Sequence, residues 1–131
     1  MPILPTFTTR IQKVTIMPLT LSASQSLALW HQVTIRMLQQ SGPDLSARQV
    51  AVLLTVYLDP GPHTVRGLAS RLRISKPAIT RALDRLSGEG LLGRTTDDND
   101  RRSVLVRKTE KGTAFVEEFA EAIRLAGEAI S

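Results

Sequence analysis

One apolar spacing occurs twice between residues 64 and 88, and it constrains the fold more than any other feature of the chain. Val65, Leu68, Ala69 and Leu72 fall at i, i+3, i+4 and i+7, and Ile79, Ala82, Leu83 and Leu86 repeat that order. Each set is the buried stripe of a short amphipathic helix. Arg73, Ile74 and Ser75 separate the two copies, a joint too short for anything but a sharp turn. The pattern is a helix-turn-helix. Its other residues include Arg66, Arg71, Arg73, Lys76, Arg81 and Arg85 against the single acid Asp84. A helix pair with so basic an outer face points to a polyanion, and to DNA first.

The charge distribution agrees. Of the net +5, residues 1–43 carry +3 with no acid, residues 44–108 carry +5, and residues 109–131 carry −3. The surplus covers the helix pair and leaves out the last segment. At 131 residues the chain suits one domain with a real core. The absence of cysteine excludes disulfides, thiolate metal sites and a cysteine redox switch. No apolar run approaches the ~20 residues of a membrane span, and prolines and threonines interrupt the N-terminus where a signal peptide would be apolar. A cytoplasmic protein is expected.

Pro2, Pro5 and Pro18 punctuate residues 1–21, which read as an extended arm; Met17 is a second candidate start. A first helix is predicted over 22–40, with Leu27, Trp30, Thr34 and Leu38 on one face and Gly42-Pro43 beyond its end. Ser46 and Gln49 form a capping box for the second helix. That helix is apolar nearly all round, which predicts a central, buried position. Asp59-Pro60-Gly61-Pro62 forces a turn. Thr64 and Ser75 are N-caps for the paired helices, with Pro77 in the first turn of the second. Leu91 to Thr96 and Arg102 to Lys108 read as strands around an Asp97-Asp98-Asn99-Asp100 turn. A last helix over 110–130 carries Phe115, Phe119, Ile123, Ala126 and Ile130 on one stripe. The expected class is mainly α with a small β-hairpin wing, a winged helix-turn-helix spanning 22–131.

On the second helix of the pair, Pro77, Arg81 and Asp84 face outward at about 100° per residue, flanked by Thr80 and Arg85. N-terminal recognition-helix residues reach base edges, so Lys76, Pro77, Ala78, Thr80 and Arg81 are assigned to the major groove. Arg81 suits guanine O6 and N7, and the methyls of Ala78 and Thr80 suit thymine methyls. Ser75 is expected on a phosphate or on its own helix end. Asp84 is expected to pair with Arg81 three residues earlier. Asp100 and Arg102, two apart on a strand, point the same way, and the carboxylate can orient the guanidinium for a narrow minor groove. The acids at 97–100 match no register of a calcium loop. Neither His31 nor His63 has ligand-spaced partners, so neither a metal nor a cofactor is expected. No nucleophile–base pair or paired catalytic carboxylates stand out, so no enzyme is expected.

The run from Val65 to Gly112 resembles the MarR family of winged-helix transcriptional regulators. The wing carries the likeness most specifically: Asp100-Arg101-Arg102 at its tip, then Ser103-Val104-Leu105-Val106, then Thr109-Glu110-Lys111-Gly112 opening a helix. The resemblance implies a homodimeric regulator, most often a repressor, on a pseudo-palindromic operator, released by a small aromatic effector. It places Arg102 in the minor groove and Arg94 and Arg101 on phosphates. The DNA-binding core would be about 46–108. Dimerisation falls to the helices about 22–40 and 110–130, through Leu27, Trp30, Phe115, Phe119, Ile123 and Ile130. Trp30 and the phenylalanine stripe also fit a plain core, or a pocket wall beside the seam. Two departures stand out. The sequence stops at Ser131, short of the sixth helix that family dimers use, so either the outer helices suffice or the arm substitutes. Gly67 takes the place of an acid in the first turn of its helix. The alternative reading is a winged helix used as a protein-interaction module, docking a partner on the Phe115 to Ile130 stripe.

Overall fold

The structure, a computed structural model, describes residues 20–130; the expected arm falls almost wholly outside them. Two compact units divide the chain, one over 45–115 and one drawing on residues before 45 and after 115.

The first unit is the winged helix. Helix α2 (Ala47–Leu58) starts at Ser46, whose side chain accepts from the Gln49 amide while Gln49 reaches back to the Ser46 N–H. Val52, Leu53, Val56 and Tyr57 on this helix are buried, as its apolar circumference predicts. Strand β1 (His63–Thr64) follows, then α3 (Val65–Leu72), capped by the Thr64 hydroxyl on the Gly67 amide. Arg73 closes α3 in the left-handed region at φ 55°, and its N–H donates to the Ala69 carbonyl. Helix α4 (Lys76–Gly88) buries Ala78, Ile79, Ala82, Leu83 and Leu86. Gly90 at φ 77° then reverses the chain, a conformation glycine adopts without steric cost. The Leu91 N–H returns to the Leu86 carbonyl at 2.9 Å.

Strands β2 (Leu92–Thr96) and β3 (Val104–Lys108) pair antiparallel, with Leu92 opposite Lys108 and Thr96 opposite Val104. The hairpin is not alone. Strand β1 pairs with the other edge of β3, His63 opposite Val106, giving the order β1-β3-β2. This third strand has only two residues, too few to show a period in the sequence. The wing turn is also wider than expected: Asp97 to Ser103 close through the bond from the Asp97 N–H to the Ser103 carbonyl at 3.0 Å.

Helix α5 (Glu110–Ala129) begins in this unit and continues into the second. The second unit holds α1 (Ala23–Gln39), which opens with a capping box of Ser22 and Gln25. Val33, Val116, Phe119, Ala122 and Ala126 are buried here. The buried face of α5 is the one that carries the predicted stripe, with Val116 and Ala122 added three residues either side of Phe119. Phe119 and Ala126 belong to it, whereas Ile123 is 40% exposed and Phe115 and Ile130 are half-buried. Leu27 at 74% and Trp30 at 62% are exposed on α1, as is Leu38. Among the described residues no helix is long and apolar enough to cross a membrane.

Candidate nucleic-acid interface

Helix α4 displays its polar face because the opposite face is fully committed to the core. Lys76, Pro77, Thr80, Arg81, Asp84 and Arg85 are all exposed. Ser75 takes one of its two expected roles: its hydroxyl accepts from the Ala78 N–H at 3.3 Å and caps its own helix. Ala78 departs from expectation. It is only 5% exposed, because it lies four residues before Ala82 and one before Ile79 and so shares their inward stripe. Its methyl packs inside and is not available to a thymine.

The cations sort into bound and unbound. Arg71 reaches Asp59 at 3.1 Å, and Arg85 reaches Glu89 at 3.4 Å. Arg94 holds Asp84 at 2.8 Å across α4 and β2. This corrects the predicted pairing of Asp84 with Arg81, and it occupies a guanidinium that the resemblance placed on phosphate. Arg66, Arg73, Lys76, Arg81 and Arg101, by contrast, are exposed and have no side-chain partner among the described residues. These free charges lie on α3, in the turn, on α4 and at the wing tip. Unpaired guanidiniums can give up counterions to phosphate at no cost in broken ion pairs.

At the wing tip Asp100 and Arg102 are not on a strand, contrary to expectation; both lie in the turn between β2 and β3. Asp100 is the organiser of that turn. Its carboxylate accepts from the Arg102 N–H at 3.0 Å and from the Ser103 hydroxyl at 3.3 Å. The Arg102 guanidinium is 98% exposed and only 4.0 Å from Asp100, a loose approach that leaves it projecting into solvent. Asp97 supports the same turn through the Asn99 N–H. Asp97 and Asp100 thus each accept from a backbone amide two residues on, the usual work of aspartate in turns. Tip geometry and Arg102 exposure are therefore one feature.

His63 has a local role, its Nε2 lying 3.0 Å from the Asp59 carbonyl. In the second unit, Arg124 donates from Nε and Nη2 to the two carboxylate oxygens of Glu121, and its Nη1 reaches Glu128 at 2.7 Å. The hydrogen bond from Arg124 holds the Glu121 carboxyl below its ordinary pKa.

A short helix pair, a second helix with a free basic face and a three-stranded wing define a winged helix-turn-helix, the fold of a large class of transcriptional regulators. The chain matches the MarR family over residues 45–104. It is 33% identical over 79 residues to the HTH-type transcriptional regulator PecS of Dickeya dadantii, covering 59% of this chain and 48% of PecS. Among solved structures it is similar to the transcriptional repressor CouR bound to a 23-mer DNA duplex, with 28% identity, a TM-score of 0.64, and coverage of 79% and 70%. It is also similar to a MarR mutant from E. coli complexed with operator DNA, with 26% identity, a TM-score of 0.61, and coverage of 82% and 71%. The chain spans about half the length of the curated relatives it matches.

Proposed function

We propose that this protein is a sequence-specific DNA-binding transcriptional regulator, acting as a cytoplasmic homodimer and a repressor, rather than an enzyme. The observation that carries the reading is the set of unpaired cations on α3, its following turn, α4 and the wing tip. The relatives solved on duplex DNA support the same choice of partner. Lys76, Pro77, Thr80 and Arg81 enter the major groove, with Arg81 as the guanine reader. Arg102 enters the minor groove, placed by the turn that Asp100 organises, and Arg101 lies on phosphate. Ser75 and Arg85 flank the backbone.

The dimer reading rests on exposed apolar side chains. Leu27, Trp30 and Ile123 stand in solvent on α1 and α5, and a second copy covering them removes that cost. Phe115 and Ile130, half-buried, would complete the seam, while Phe119 supports it from within. A small aromatic effector that loosens the DNA complex is part of this proposal. The test is selection of bound duplexes from a random pool, followed by affinity measurement from 50 to 200 mM salt. Binding that falls by orders of magnitude supports the reading. A monomer with no duplex preference favours the protein-interaction module, with the same apolar residues docking a different protein.

A further inference from the structure

We infer that Arg94 is a positioning residue rather than a phosphate contact: bonded to Asp84, it fixes the angle at which the wing leaves the recognition helix. The inference rests on the DNA-binding reading above and assigns one of its cations a different task.

The geometry is specific. Arg94 Nη1 and Asp84 Oδ1 are 2.8 Å apart, ten residues apart in sequence and on different elements. Strand β2 emerges from the core as it runs. Leu92 is 2% exposed, Gly93 is half-buried, and Arg94, Thr95 and Thr96 are exposed. Arg94 therefore stands where the ribbon parts from the helices, and its ion pair ties that point to the exposed face of α4. Beyond it the chain runs outward for about three residues before the turn, on the order of 10 Å. A tilt of about 10° at Arg94 would move the tip by roughly 2 Å. Recognition geometry tolerates about 0.5 Å.

Stability does not account for the pair. The side chains are 34% and 60% exposed, and exposed ion pairs add little to folding. Nor does simple attraction to DNA. Asp84 is an acid on the face offered to phosphate, and its bare charge opposes binding. Coulomb repulsion alone predicts that Asp84→Asn tightens the complex, whereas a positioning role predicts that it weakens it. The two accounts differ in sign.

The experiment measures affinity and salt slope on a selected duplex for the full chain, with urea unfolding of each variant alongside. Asp84→Asn and Arg94→Gln are each expected to weaken binding about three- to tenfold, a span typical of coupled pairs. The double variant should be no weaker than the singles. The slope of log affinity against log salt should stay at the wild-type value, and Arg94→Lys should recover most of the loss. Tighter or unchanged binding by Asp84→Asn overturns the inference, as does a slope reduced by about one in Arg94→Gln, which marks a phosphate contact. A second readout needs no DNA. With spin labels at residues 70 and 99, Asp84→Asn should broaden the distance distribution, and an unchanged distribution counts against a positioning role. Should the wild type select no duplex, the DNA-binding reading fails first; a wild type that binds while Asp84→Asn binds equally well removes this inference alone.

Discussion

Gly112 lies so close to the phenol of Tyr57 that a Cβ at residue 112 would overlap the Tyr57 hydroxyl oxygen and the Leu91 carbonyl oxygen. That hydroxyl is a junction. It accepts from the Thr109 N–H at 3.1 Å and donates to the Leu91 carbonyl at 3.1 Å. Helix α2, the chain after α4 and the start of α5 meet at one oxygen. Gly112→Ala should therefore cost about 3 kcal/mol, since backbone must shift to make room. Tyr57→Phe should cost about 1–2 kcal/mol by stranding the groups it satisfies. Urea unfolding of both variants checks the order of the two effects.

The turn of the helix pair makes a second prediction. Arg73 holds φ 55°, which costs a side-chain-bearing residue roughly 1 kcal/mol. Arg73→Gly relieves this but loosens the unfolded chain by about 0.4–1 kcal/mol. Its unfolding midpoint should stay level or rise slightly. Arg73→Val, with a branched Cβ, should lose more than 1 kcal/mol. A midpoint for the valine variant equal to that of the wild type would show the turn to be relaxed.

Under the proposed function, the DNA contacts divide by residue. Arg81→Ala should cost ~1–3 kcal/mol and relax preference at one position per half-site. Arg101→Ala should weaken all sequences alike and lower the salt slope by about one. Arg102→Ala should reduce the preference for A·T-rich flanks. Competition binding with duplexes altered at single positions separates the three.

Assembly has its own test. Trp30→Glu and Leu27→Glu place charge on side chains that are exposed in the single chain, so monomer folding should be spared. Light scattering should report half the wild-type mass, with duplex affinity falling in step. A mass unchanged by both substitutions moves the dimer seam elsewhere.

Glu121 provides a pH signature. Its carboxyl is held below its usual pKa by the hydrogen bond from Arg124. A carboxyl depressed on folding stabilises the fold above its unfolded pKa, and that contribution is lost as pH falls through the folded value. Carbon-detected NMR titration should find Glu121 titrating below the usual glutamate range. Arg124→Gln should return it to the ordinary range.

Local chemistry was legible in the sequence wherever one residue decides one event. Ser46, Thr64 and Ser75 cap the helices expected of them, because a hydroxyl before an apolar-periodic run has one nearby amide to serve. Ala78 was legible but misassigned: it stands four residues before Ala82, and the inward stripe is wider than the four residues that first revealed it. Strand β1 escaped because two residues carry no period. The Asp84 to Arg94 bond escaped because its partners belong to different elements, and spacing along a chain says nothing about such pairs. On α5, Val116 and Ile123 are seven residues apart and share a face, yet Val116 is buried and Ile123 is 40% exposed; the helical period gives the face of a residue and not how far its neighbours cover it.

The wing tip, finally, keeps its hydrogen bonds to itself. From Asp97 to Ser103, each bond formed by Asp97, Asn99, Asp100 and the Arg102 amide ends on another member of the turn. Such a tip is a cassette. Its length and the placement of its arginines can be exchanged without disturbing the helices beneath, so under the proposed function a lineage could retune its operator at the flanks while leaving its scaffold untouched.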